Sequence, residues 1–438
     1  MTGTGIKTSR LCRAVRWRVR FGAVLALFLA GLASTACTVR TADVDRPDVL
    51  PRGAYEKVYP YHAAICAVSR IRANFAAAGG VPGHAVMYLQ GVCKDESAPY
   101  PRLKLCPPEV AAAGGPQAGL GVSVNKTFKN VNWMAVPDRR LFFNGNLAPG
   151  ERLDKARVLQ TLEEAYEAGI WDGIEVHDTY RPAEGDRDAA VYLLASESIG
   201  TDVALLFGRH VFCATLPMPR ERLARVVDFL NDLNDEYATG EAEYNWSGYA
   251  DNCSHTLRNA LAAAEVWRET PVRINKLRQF FNLSIPSNEM INLAKRANGY
   301  KLEDFDALFA DAQLRNALLE HGWLPTRHGA LVLYKAIHRP NEIYNTQAQI
   351  LIHEVPLLRP LSRNIDAMYR DINFTEIEEN LRFYKRRYEA ILGQRPDDWE
   401  SAAESGAKYA VARKRYYEAI AEQLEDVEAK LAQLEESS

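Results

Sequence analysis

The chain has 438 residues, 47% hydrophobic and 25% charged, an ordinary globular composition with length for two or three domains. Its 53 basic and 56 acidic residues are scattered and sum to a net charge of −3, a poor match to nucleic acid. No zinc-ligand spacing, phosphate loop or dinucleotide fingerprint occurs, so neither a metal nor a cofactor is expected.

The N-terminus differs from the rest. Lys7, Arg10, Arg13, Arg16, Arg18 and Arg20 precede a short apolar run over residues 21–33, too short to span a bilayer comfortably. Ser34-Thr35-Ala36-Cys37 follows. Small residues before a cysteine resemble a bacterial lipobox, with Ser34 where that motif usually carries leucine. Residues 1–37 are thus expected to be a lipoprotein-type signal peptide. The product would be exported to the periplasm and anchored to the membrane by lipid on Cys37. Ordinary cleavage nearby is the alternative. Removing six basic and no acidic residues takes the net charge from −3 to about −9.

There are seven cysteines. Cys12 leaves with the signal and Cys37 is the lipid site. In an oxidising envelope four of the other five can pair. Cys66, Cys93, Cys106 and Cys213 are the expected four, with three connectivities open, and Cys253 is the odd thiol.

Residues 38–57, rich in Pro, Asp and Arg, read as a tether. Apolar residues at helical spacing predict a helix over 58–78. A Gly/Pro break leads to a short strand at 84–89, which starts at His84. Residues 93–118 are an irregular insertion. Strands are expected at 121–125 and 133–136, with 141–143 a candidate third. A helix over 152–168 precedes a loop containing His177. Helical periodicity returns at 188–198, a strand at 209–214 and a helix at 219–236. Beyond residue 271 the pattern is helical to about 320, with a candidate strand at 328–337. Residues 374–391 and 417–434 carry apolar stripes at alternating three and four, an antiparallel hairpin of coiled-coil type. Its apolar faces would bury against each other, the body, a second copy or a protein partner. The division is 58–290 for a catalytic domain, 291–360 for a mostly helical extension and 361–438 for the hairpin.

The chain is organised around residues 244–261. An aromatic loop, Tyr244 to Tyr249, turns into a helix with apolar positions at Leu257, Ala260 and Leu261. Asp251 or Asn252 can cap it, which sets Cys253 on the first turn. There the positive end of the helix favours the thiolate, the nucleophilic form. A buried structural cysteine is the plain alternative. His84 is the first candidate for its base, and Asn125 on the next strand for the group that orients His84. His177 and His210 are rival bases. His255 lies two positions beyond Cys253 and turns away from it. A histidine ahead of the cysteine reverses the papain order and requires a circular permutation, acceptable because such sites are defined in space.

Gly83-His84-Ala85 before a strand, with Tyr244-Asn245-Trp246 through Asn252-Cys253-Ser254-His255, resembles the Lnb N-terminal periplasmic domain family. The Asn-Cys-x-His element is also similar to that of the lecithin retinol acyltransferase branch of permuted NlpC-type enzymes. The resemblance spans roughly residues 58–350. It implies an α+β fold: a circularly permuted papain-like (NlpC-type) domain, here with helical additions and the hairpin. It also implies an acyl-Cys intermediate in an acyltransferase or a lipid-ester or amide hydrolase, acting on a lipid or an acylated protein. The chain departs from the family's acyltransferase, which has membrane-spanning helices where this chain has the hairpin. An NlpC-type cell-wall amidase or peptidase and a non-catalytic envelope scaffold are the competing expectations.

Overall fold

The runs His62–Val68 and His84–Gln90 are buried at every position. Strands without a polar face belong in the middle of a sheet covered on both sides, and both lie there. The computed structural model describes residues 36–40, 52–68, 71–73, 84–148, 151, 154–178, 211–248, 250–272, 284–298, 301–335, 344–346, 349–353, 367–397 and 408–437. Residues 1–35 of the signal peptide expected over 1–37, the expected helix at 188–198 and His210 lie outside them.

Helix and sheet are mixed, an α+β fold. The chain opens with β1 (Ala36–Arg40), α1 (Arg52–Val58), β2 (His62–Val68), β3 (Ile71–Ala73) and β4 (His84–Gln90). There follow β5 (Val92–Lys94), β6 (Leu103–Leu105), α2 (Pro108–Ala113), β7 (Gly119–Val124), β8 (Trp133–Pro137), α3 (Arg139–Asn144) and α4 (Lys155–Glu167). Next come β9 (Val211–Pro217), α5 (Arg220–Ala238), α6 (Cys253–Ala263), α7 (Pro286–Asn298), α8 (Phe305–Ala310) and α9 (Ala312–His321). The last are β10 (Leu331–Lys335), β11 (Tyr344–Thr346), β12 (Gln349–His353), α10 (Ile372–Thr375), α11 (Ile377–Gly393) and α12 (Lys408–Ser437).

Six strands form the main sheet in the order β10-β9-β2-β4-β7-β8, each antiparallel to its neighbours. Cys66 and Cys213 sit opposite each other on β2 and β9 and are disulfide-bonded; Cys93–Cys106 closes the β5–β6 loop. Cys253 is a reduced, buried thiol. The four cysteines expected to pair do so, and the connectivity that sequence left open is now fixed.

Three expectations are corrected. Within the helix expected over 58–78, the described residues 62–68 and 71–73 instead form β2 and β3. A continuous apolar run satisfies helical and strand spacing alike, and pairing on both sides selects the strand. Residues 141–143 lie in α3, a helix. Asp138 Oδ1 accepts from the Arg140 amide at its start, and Gly145 ends it in the left-handed region at φ 56°. The stretch 38–57 is not a bare tether. It begins in β1, which pairs with β12, and ends in α1, whose Tyr55 and Glu56 are buried.

The domain division also changes. β10, assigned to the helical extension, is an edge strand of the main sheet, and α7 packs on β2 and β9. Helices α11 and α12 pack together as expected. Their stripe (Leu381, Tyr384, Tyr388, Ile420) continues into a core shared with Tyr55, Tyr59, Leu302, Phe305 and Leu331. Asn380, fully buried in that stripe, accepts from the Gly329 amide and donates to Ala330 O. The apolar faces that sequence offered to a partner are thus covered by the body of the same chain.

Three buried histidines set an acid limit. Burial pushes His62 and His328 down from 6.5 to about 4, outweighing the Tyr59 carbonyl beside the first and Asp426 beside the second. His255 also falls to about 4, through burial first and the Arg258 charge second. The folded-state value lies below the unfolded one, so the unfolded chain binds more protons between the two. Stability is therefore complete above about pH 6.5 and falls as the pH drops toward 4, by up to about 1.4 kcal/mol per pH unit for each histidine. Urea midpoints measured from pH 7.5 to 4.5 should decline steadily; a flat profile contradicts neutral buried histidines.

Candidate functional site

Helix α6 begins where the sequence places it. Asn252 is its cap, with extended backbone, and its Oδ1 accepts from the Ser254 amide at 2.8 Å and the His255 amide at 3.3 Å. The Asn252 Nδ2 donates to Gly248 O at 2.9 Å, which ties the preceding loop to the helix start. Cys253 is thus the first helical residue, 6% exposed. Replacing Asn252 with alanine should cost about 1 kcal/mol of stability. It should also slow thiol reactivity, because the loop is no longer held; denaturation and alkylation rates read the two effects separately.

His84 is the first residue of β4 and is buried. Its Nε2 lies 2.8 Å from Ser123 Oγ. Asn125 follows β7 directly. Val86 pairs with Ser123 on β7, and carrying that register two residues further places Asn125 across from His84. Its Oδ1 accepts from the Thr127 amide and hydroxyl, which fixes the turn after β7. The hydroxyl on His84 is therefore that of Ser123, a residue sequence reasoning passed over. The available signal was a single polar residue in the apolar strand Gly119–Val124, two positions before Asn125.

The faces of the sheet decide how Cys253 and His84 can meet. Alternation puts His84, Tyr88 and Ser123 on one face, where Phe142 of α3 packs so closely on Gly121 that a methyl there would clash with its ring. Trp133 alternates to the other face and donates through Nε1 to Leu230 O of α5. Helix α5 packs along α6, and α6 packs on β4 and β7, so the Cys253 helix covers the Trp133 face. The two side chains start from opposite faces of the sheet, near one rim. That rim is shared: Thr256, one turn beyond Cys253, donates to Asn132 Oδ1 at 2.9 Å, and Asn132 precedes β8 beside the end of β7 and the start of β4.

His177 also belongs to this end of the molecule. Its amide donates to Thr127 O, and its Nε2 lies 2.9 Å from Tyr244 O. The loop before Cys253 is thereby joined to the turn after β7. His255 is buried and held neutral, and its Nδ1 finds no partner among the described residues. Trp246 is 40% exposed in the same loop. Among the described residues no group of three His, Cys, Asp or Glu side chains is placed to hold a metal, and no helix is long and apolar enough to cross a membrane.

Comparison with known protein families, curated proteins and solved structures finds no match for this chain.

Proposed function

We propose that the chain is a cysteine-dependent acyltransferase, or a hydrolase of lipid esters or amides, in the bacterial envelope, on a circularly permuted papain-like sheet and helix. One observation carries the reading. Of the five cysteines in the body, four are locked in two disulfides and the fifth is a thiol on the first turn of a side-chain-capped helix. Disulfides mark an oxidising compartment, where a thiol kept out of them calls for a use. The helix end favours the thiolate.

The Cys253 sulfur attacks the substrate carbonyl carbon, and the oxyanion accepts from the amides at the start of α6. The intermediate collapses to a thioester as the leaving alkoxide or amine takes the proton first removed from the thiol. Water or an acceptor amine then attacks the thioester and releases Cys253. His84 is the proposed proton carrier; its ring, held by Ser123 on the other face in this structure, turns over the rim to serve the thiol. The exposed Trp246 supplies an apolar contact for an acyl chain beside the thiol. The expected substrate is a lipid or an acylated protein, presented to an enzyme anchored through Cys37.

An activated-ester probe tests this. His84→Ala should slow labelling of Cys253 at least about 100-fold, as loss of a general base does, while His177→Ala changes it little. The reverse order would assign the base to His177. Labelling indifferent to both would leave Cys253 without a base and sink the mechanism.

A further inference from the structure

We propose that Asn132 is a further catalytic residue of the Cys253 site, its side-chain amide donating to the oxyanion together with the amides at the start of α6. The inference rests on the thiol reading and names a group which that reading did not use.

Asn132 lies at the rim, just before β8. Val124 pairs with Trp133, and carrying that register one residue further sets Asn132 across from Asn125, which lies across from His84. The three residues form one row over the ends of β8, β7 and β4. From this row Asn132 reaches α6: its Oδ1 accepts from Thr256 Oγ1 at 2.9 Å. Its backbone is pinned as well, the amide donating to Asn234 Oδ1 at 2.8 Å. The residue is 1% exposed, and its Nδ2 has no partner among the described residues. Buried donors are nearly always answered. An unanswered one, on a side chain otherwise fixed, points to a group that arrives with the substrate.

The place of that donor follows from Thr256. Residues three apart on a helix stand on one face, with Cβ atoms about 5–6 Å apart. Thr256 is three beyond Cys253, so the amide that holds it stands against the stripe of the nucleophile. Ser254 Oγ and His255 Nδ1 are also buried and unanswered. One and two positions past Cys253, the helix has turned them about 100° and 200° away from it. Cys253 is itself only 6% exposed. A carbonyl brought to it enters an enclosed space, where a fixed donor acts most strongly on a developing charge.

As the sulfur bonds to the carbonyl carbon, the π pair of the C=O bond moves onto oxygen. The α6 amides and Asn132 Nδ2 donate to that oxygen. The pair returns to re-form the carbonyl as the leaving alkoxide or amine departs with the proton first removed from the thiol.

Two probes of one thiol test this on the full chain. An activated ester acylates Cys253 through an oxyanion; iodoacetamide alkylates it without one. Asn132→Leu should slow acylation about 100-fold, as loss of one oxyanion donor does, and leave alkylation within about twofold. Thr256→Val breaks the same hydrogen bond from its other end but keeps Nδ2, so it should cost acylation far less. Asn132→Asp keeps the shape and the bond from Thr256. It repeats the test, with rates compared at the plateau of each pH profile, if the leucine variant loses its native circular dichroism. Acylation unchanged by loss of the Asn132 amide overturns the inference. So does a parallel loss of both reactions, and so does an equal loss in Thr256→Val; either makes Asn132 a packing residue. A native chain that iodoacetamide labels and the ester does not would instead sink the thiol reading, and this inference with it.

Discussion

Cys253→Ser should reduce covalent labelling by an activated-ester probe to background, the largest single effect expected from any substitution in this chain. The serine hydroxyl is nearly the size of the thiol but is not ionised near neutral pH, and the proposed mechanism requires a thiolate. The substitution leaves the Asn252 cap and the α6 core untouched, so the thermal midpoint should stay close to that of the native protein. Loss of labelling with an unchanged midpoint separates a nucleophile from a structural cysteine. A serine variant that unfolds early would instead mark Cys253 as packing. Labelling that persists at another residue would remove the thiol from the mechanism.

Removal of the C-terminal helices should unfold the body. Two apolar stripes and no candidate nucleophile read as a self-sufficient hairpin that could be cut away. The structure gives those stripes a different task. Tyr384 is fully buried and donates to Ala297 O at 2.7 Å, at the end of α7, and the Tyr416 hydroxyl donates to Leu302 O. Truncation before Asn373 would expose Tyr55, Leu331 and Phe305 together. Tyr384→Ala is the milder form of the same experiment. It should cost about 3–5 kcal/mol, as deletion of large buried aromatics does. A truncated chain that stays folded with a native midpoint would restore the hairpin as an independent domain.

The parts of the fold that could be read from sequence were those with a local cause. Helix α6 has a cap and an apolar face, and its start was read to within one residue, between Asp251 and Asn252 as caps. The hairpin has two long stripes of fixed period. The strands β4 and β7 each follow a glycine- and proline-rich break, at 79–83 and 114–116. The misreadings were at places where distant residues decide. β2 is a strand because β4 and β9 take its hydrogen bonds on both sides, and nothing within 58–78 announces those partners. α3 is a helix of one and a half turns, too short for periodicity to show. α1 carries an ordinary surface composition, and its burial comes from a core completed at the opposite terminus. In the site, Cys253 was legible because the helix start is local. The contact between His84 and Ser123 was not, because it depends on which strands pair and on which face each residue emerges.

The disulfide between Cys66 and Cys213 joins positions 147 residues apart in the chain. It binds two adjacent central strands, β2 and β9, and everything between them forms one covalent loop. A protease that cuts once inside that loop separates nothing. The nicked protein keeps its mass, and both halves of the sheet remain attached through the sulfur bridge. On a gel it would run as one band without reductant and as two with it. The chain thus survives a broken backbone as a single molecule, for as long as its surroundings stay oxidising.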